Sequence, residues 1–404
     1  MREAPALLTQ HLPGRETVAA GIWVTRGSAH DPEELAGATH LLEHLTLRRC
    51  GGRDRRALAE LVDRLGGDVD AWTGVETMGL SLTTTGDGLA DGLELLVDAI
   101  SDPSFDPEDV ELERRVILAE LELVYDDPSE LVEEALLRAA WGSHPLARPV
   151  IGSAASVAAI DEAALRRHHR ELVAPGRLMV ALAGDVDGNG ALACLDRLDL
   201  ATVAARPELP TLSWSCGREV VTRSWADQVH SRIAFEAISA SDPRLSAITV
   251  LNRVLGNGSA SRLFQRLRED EGLTYDIWSG LLLRRPGGLL ELGWACAPAV
   301  HRLVWQLVLD EVERLSGDLA AEEVEVAREG LLRGLLMDSD LPAARCAMDV
   351  AEVLDRGRRF DLAAVRAELE GVTHDEVREL AAAILRPDRM AAAICGPEGV
   401  ELPG

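Results

Sequence analysis

Short runs in which apolar and polar residues alternate predict strands over residues 18–25, 78–84 and 178–184. Longer runs with helical period cover 39–49, 57–65, 89–100 and 109–124. Gly66 and Gly67 stop the second of these helices; Asp102-Pro103 follows the third and Asp106-Pro107 precedes the fourth. Interleaved strands and helices exclude a helical bundle and an all-strand sandwich, and predict layered α/β or α+β structure. The stretch 204–212, with Pro207 and Pro210, breaks the periodicity near mid-chain and marks a boundary between domains at 1–204 and 213–404.

The two halves carry matching segments. Residues 107–121 read PEDVELERRVILAEL and 321–335 read AEEVEVAREGLLRGL, with acidic, apolar and Arg positions in step at an offset of 214. Asp31-Pro32 with its helix resembles Asp242-Pro243 with its helix, and DAWTG at 70–74 resembles DIWSG at 276–280. Three matches in one order predict a duplicated domain of about 200 residues.

Composition narrows the function. The 404 residues hold 68 acidic and 41 basic side chains, all of the latter Arg, for a formal charge of −27. Phosphate backbones and anionic membrane surfaces would be repelled, so no nucleic acid and no membrane partner is expected; cationic or basic peptides fit better. The bias toward Arg, Ala, Gly and Leu fits a GC-rich bacterial genome. The six cysteines, Cys50, Cys194, Cys216, Cys296, Cys346 and Cys395, are scattered singly and form neither a disulfide framework nor a Cys-based zinc site. With no signal-peptide pattern and no run of about 18 apolar residues, a bacterial cytoplasmic location is expected.

The pentapeptide His40-Leu41-Leu42-Glu43-His44 carries the candidate chemistry. On a helix, imidazoles at i and i+4 project from one face and can reach one zinc ion. Glu43, beside the second His, can reach a water at that ion without being a ligand. H-x-x-E-H inverts the zinc-protease pattern H-E-x-x-H. A catalytic zinc needs a third protein ligand, for which the acidic helix offers Glu108, Glu111, Glu113, Glu120 and Glu122. Glu120 lies in the run Val-Ile-Leu-Ala-Glu-Leu, where an unpaired buried carboxylate would be costly. Glu113 precedes it by two helical turns, on nearly the same face.

These segments resemble the pitrilysin family of inverzincin metallopeptidases, which includes insulin-degrading enzyme, mitochondrial processing peptidase and half-size bacterial members. Its H-x-x-E-H is followed by a Glu in a segment like E-R-x-V-I-L-x-E; here that segment is Glu113 to Glu120, and Glu120 follows His44 by 76 residues. The resemblance implies one zinc per chain on His40, His44 and Glu120, with Glu43 as general base and Glu113 as accessory acid. Residues 66–73, GGDVDAWT, are similar to the family's G-G-x-x-N-A-x-T edge strand, which pairs with substrate near Ala71; Asp70 stands where the family has Asn. Residues 261–275 are similar to the second-domain motif whose Arg and Tyr contact substrate, here Arg268 and Tyr275. The family's F-K-G-T after the zinc motif becomes Leu47-Arg48-Arg49-Cys50, read as a loop detail. In the second half Ala327 and Gly334 face Glu113 and Glu120, so no second metal set is expected.

The resemblance implies two α/β-roll domains, each with a mixed, mostly antiparallel sheet and helices on one face. It implies an endopeptidase acting on unfolded or short peptides inside a closed chamber, completed by a homodimer or a heterodimer with a zinc-less homologue. Two other readings share the fold: one subunit of a two-chain enzyme that trims leaders from a small precursor, and a non-catalytic, core-like structural subunit.

Overall fold

The computed structural model describes residues 6–174, 176–186 and 209–403. Its strands are β1 (Ala6–His11), β2 (Thr17–Val24), β3 (Asp68–Thr73), β4 (Met78–Thr85), β5 (Leu178–Gly184), β6 (Arg218–Thr222), β7 (Val229–Ala237), β8 (Ile277–Leu283), β9 (Gly288–Cys296) and β10 (Ala391–Gly396). The helices are α1 (Ala38–Thr46), α2 (Arg55–Arg64), α3 (Leu89–Ser101), α4 (Pro107–Tyr125), α5 (Pro128–Trp141), α6 (Ala154–Ala159), α7 (Glu162–Leu172), α8 (Leu245–Leu255), α9 (His301–Asp318), α10 (Ala321–Ser339), α11 (Pro342–Arg356), α12 (Leu362–Glu370) and α13 (His374–Ile384). The strands form two five-stranded sheets of orders β1-β5-β2-β4-β3 and β6-β10-β7-β9-β8. Adding five to every strand number of the first order gives the second, so the duplication legible in three segments extends to the whole topology. In each sheet one pair is parallel, β1 with β5 and β6 with β10, and the other pairs are antiparallel.

A detail of packing repeats as well. Trp72 on β3 pairs with Gly79 on β4, and Trp278 on β8 pairs with Gly293 on β9. A Cβ on Gly79 would meet the Trp72 ring at 2.3 Å, and one on Gly293 would meet Trp278 at 2.6 Å. Each indole of the DAWTG/DIWSG pair therefore lies over a glycine of the neighbouring strand.

The first compact unit comprises Met1–Glu122, Arg148–Leu209 and Met337–Phe360; the second comprises Leu123–Ala147, Pro210–Leu336 and Asp361–Gly404. The mid-chain boundary predicted at 204–212 falls between the large blocks, its residues 204–208 lying outside the described residues. A single cut there does not reproduce the units, because each takes one helical segment from the other half of the chain. In the first unit Ala20, Ile22, Val24, Val180 and Leu182 face a core filled by α1, α3 and α4. Alternate residues Ala19, Trp23, Met179, Ala181 and Ala183 face the other way, onto Cys346 and Val350 of α11. In the second unit α5 packs on β10, β7 and β6. In each unit, among the described helices, one drawn from the other half of the chain packs against the sheet: α11 in the first and α5 in the second.

Helix α1 is set by both of its ends. Gly37, at its N-cap, has φ +92°, and a Cβ there would meet the Ile151 carbonyl oxygen at 2.6 Å. Its cap comes from a distance: Asp31 Oδ2 accepts the Gly37 and Thr39 amides at 3.0 and 3.3 Å. Leu41, Leu42 and Leu45 are fully buried, each contributing about 1.5–3 kcal/mol, and they fix the rotation of the helix. The predicted helix runs to residue 49, but α1 ends at Thr46, whose hydroxyl donates to the Glu43 carbonyl at 2.7 Å.

Candidate metal centre

With the leucines of α1 turned inward, His40, Glu43 and His44 fall on its partly exposed side. Opposite them runs α4, whose buried stripe is Val110, Glu113, Ile117 and Leu121. Glu120 flanks this stripe. Ligand atoms of His40, His44 and Glu120 all lie within 4.8 Å of one another. The His44 Nε2 to Glu120 Oε2 distance is 3.7 Å. Donors on one tetrahedral ion with bonds of about 2.1 Å stand about 3.4 Å apart, so small side-chain rotations bring this set onto one centre.

The other nitrogen of His44 is already engaged. Nδ1 lies 3.1 Å from Glu113 Oε2, the arrangement in which a carboxylate accepts the Nδ1–H and leaves Nε2 as a lone-pair donor. His40 Nδ1 is buried and has no hydrogen-bond partner among the described residues. A buried polar atom without a partner is costly, and a cation bound at that nitrogen would supply the missing partner. Burial and the neighbouring His44 push the His40 pKa down to about 4, against the pull of Asp31, so the ring is neutral at neutral pH. Two imidazoles and one carboxylate are a donor set suited to zinc.

Glu43 sits beside the set without joining it. Burial raises its pKa above the ordinary carboxylate value, and the charges of Asp70 and Glu120 add to the rise. A hydrogen bond with Thr73 and the charge of His44 oppose it. Thr73, Ala71 and Asp70 belong to β3, which among the described strands pairs only with β4, at the edge of its sheet, and leaves its outer edge to another strand. Ala71 pairs with Leu80.

The predicted roles map unevenly onto burial. The apolar run around Glu120 predicts a buried carboxylate, but its side chain is 39% exposed, and that of Glu113 is 9% exposed. The helix turns Val116, Ala119 and Glu122 outward beside Glu120, so apolar neighbours in sequence do not bury it. Two groups of residues were missed. Arg48, read as part of a loop detail, pairs with Glu113 and Asp109. It lies just past the end of α1, so the helical spacing that marks His40 and His44 does not carry over to it. The second group is Asp31, Thr39 and His168, all buried, with Thr39 Oγ1 at 2.5 Å from Asp31 Oδ1 and 2.9 Å from His168 Nε2. This group holds the residue preceding His40.

Arg268 and Tyr275 meet in the second unit. A π-helical turn, Phe264–Asp270, presents the Arg268 guanidinium 4.7 Å from the Phe264 ring and 4.5 Å from the Tyr275 ring. Tyr275 is 81% exposed. The five described cysteines are free, and Cys194 lies outside the described residues. Among the described residues no helix is long and apolar enough to cross a membrane.

An α+β pair of duplicated sheets with an H-x-x-E-H helix facing a glutamate helix defines a metallopeptidase-like architecture. The family profile described as Insulinase (Peptidase family M16) matches residues 6–154, and that described as Peptidase M16 inactive domain matches residues 159–331. The chain is 32% identical over 401 residues to an uncharacterized zinc protease of Mycobacterium tuberculosis, covering 97% of this chain and 91% of the relative. It is 25% identical over 400 residues to the uncharacterized zinc protease YmxG of Bacillus subtilis, covering 97% and 96%. The chain belongs to peptidase family M16, the insulinase or pitrilysin family, in its half-size form. Solved structures share the fold: a protease from Helicobacter pylori (TM-score 0.90, 15% identity, 98% of each chain) and a peptidase M16 inactive domain from Pseudomonas fluorescens (TM-score 0.87, 22% identity, 99% of this chain and 97% of the other).

Proposed function

We propose that this chain is a zinc endopeptidase of unfolded or short peptides, holding one zinc on His40, His44 and Glu120. The observation that carries the reading is the convergence of those three donors within 4.8 Å, beside a further carboxyl, Glu43, that lies outside the set and can serve proton transfer. Relatives named zinc proteases support it.

Zinc at this set supplies Lewis acidity toward a peptide carbonyl and lowers the pKa of water. Glu43 takes a proton from the attacking water and passes it to the leaving amine; its raised pKa brings it closer to the working pH of such a group. Glu113 keeps the His44 ring in the tautomer that presents Nε2. Substrate backbone adds to the open edge of β3 near Ala71, a mode that reads extended peptides with weak sequence preference. Arg268 and Tyr275 are proposed as substrate contacts, the exposed phenol donating to a carbonyl or developing oxyanion. The charge of −27 favours basic peptides. The working form is a dimer, either with a second copy or with a zinc-less homologue, in the bacterial cytoplasm.

Metal analysis of the purified protein, combined with mass spectrometry of a digested peptide library, tests the reading. One zinc per chain and internal cleavage of unstructured peptides are expected. A zinc-loaded chain that cleaves nothing, alone or with its partner, would instead assign the fold to a non-catalytic subunit.

A further inference from the structure

We infer that Arg48 is a positioning residue of the metal centre, its guanidinium bridging Asp109 and Glu113 so that Glu113 holds the His44 ring in place. The inference rests on the zinc reading above.

The bridge is close and buried. Arg48 Nη1 donates to Glu113 Oε1 at 2.5 Å and Arg48 Nε donates to Asp109 Oδ1 at 2.7 Å. The side chains of Arg48, Glu113 and Asp109 are 11%, 9% and 3% exposed. Asp109 is itself anchored: Arg49 Nε pairs with its Oδ2 at 2.7 Å, and Ser104 Oγ donates to Oδ2 at 2.8 Å. The chain of contacts therefore runs from a fixed carboxylate, through a planar cation, to a second carboxylate whose other oxygen faces His44 Nδ1 at 3.1 Å. Each oxygen of Glu113 has its own partner. Rotation of that carboxyl would break both contacts at once, so the position of Oε2, and with it the tautomer and tilt of the imidazole, is set by Arg48.

Removing Arg48 leaves Glu113 Oε1 without this donor and lets the carboxyl swing away from His44. Outer partners of metal ligands typically change affinity by roughly 10- to 100-fold, and that is the effect expected here. Because Arg48 acts through Glu113, it has nothing to act on once Glu113 is replaced. A purely structural tie between the end of α1 and α4 would weaken folding but leave the affinity of the folded protein unchanged.

The test is zinc affinity by chelator competition on wild type, Arg48→Gln, Glu113→Gln and the double variant, with folding checked by circular dichroism. Arg48→Gln is expected to bind roughly 10- to 100-fold more weakly, and the double variant to match Glu113→Gln alone. Arg48→Lys keeps the charge but not the fork that spans two carboxylates, and is expected to remain at least about fivefold weaker than wild type. A folded Arg48→Gln with wild-type affinity overturns the inference, as do single effects that multiply in the double variant. If Arg48→Gln does not fold, Arg48→Lys decides: wild-type affinity there overturns it. A wild-type chain that shows no His40- and His44-dependent zinc binding removes the zinc reading, and this inference with it.

Discussion

His44 Nδ1 stands 3.1 Å from Glu113 Oε2, a contact between residues 69 positions apart in the chain. It joins α1 to α4 at the point where the ring must choose which nitrogen carries its proton. With Nδ1–H donated to the carboxylate, Nε2 faces Glu120 at 3.7 Å as a lone-pair donor. One interaction thus couples the orientation of the His44 ring to the contact between the two helices.

The ligand assignment predicts a graded response to substitution. Glu120→Gln keeps the shape of the side chain but loses its charge, and zinc retention through a desalting column should fall strongly. His40→Ala/His44→Ala should retain none. Full occupancy in the double His variant would contradict the assignment.

Tyr275→Phe removes one exposed donor and leaves the ring stacked on Arg268. A donor acting mainly in the transition state should cost about 10- to 1,000-fold in kcat with little change in KM. An unchanged kcat with a higher KM would make Tyr275 a ground-state contact.

The fold makes its own prediction at Gly79. An alanine there drives Cβ to 2.3 Å from the Trp72 ring and 2.8 Å from the Ile22 carbonyl oxygen, and should cost about 1–3 kcal/mol in urea unfolding. Gly334→Ala, on α10 with no atom within 4 Å of the added Cβ, should be neutral or stabilise by about 0.5–1 kcal/mol. Equal effects at both sites would contradict the close approach.

Much of this architecture was legible beforehand, and the gaps have physical causes. H-x-x-E-H declares its chemistry locally, because i and i+4 share a helix face whatever the tertiary fold. The duplication showed in DAWTG and DIWSG because the same indole-over-glycine packing constrains both. Which sheet α5 or α11 covers was not legible: an amphipathic period shows that a helix has a buried face but not what it is buried against. His168 was missed for a similar reason, since its partner Thr39 lies 129 residues away. The apolar run around Glu120 suggests burial, yet its side chain is 39% exposed, because those neighbours lie around the helix rather than on one side of it.

Asp349 predicts a pH dependence. Burial raises its pKa, but hydrogen bonds from Arg359, the Phe360 amide and Gln10 outweigh this and hold it below the usual 3.8. A carboxylate lowered in the folded state stabilises fully above 3.8 and loses that contribution as pH falls through the folded value. Asp349→Asn should therefore cost about 2 kcal/mol at neutral pH and flatten the acid limb of the stability curve. An acid limb as steep as wild type would place the titration elsewhere.

The most direct measurement is turnover of an unstructured peptide by wild type and Glu43→Gln, with zinc content determined on the same samples. If Glu43 carries the proton and is not a ligand, as proposed, both proteins should hold one zinc per chain while Glu43→Gln loses about 100- to 10,000-fold in kcat. Near-wild-type turnover by zinc-loaded Glu43→Gln would contradict the account.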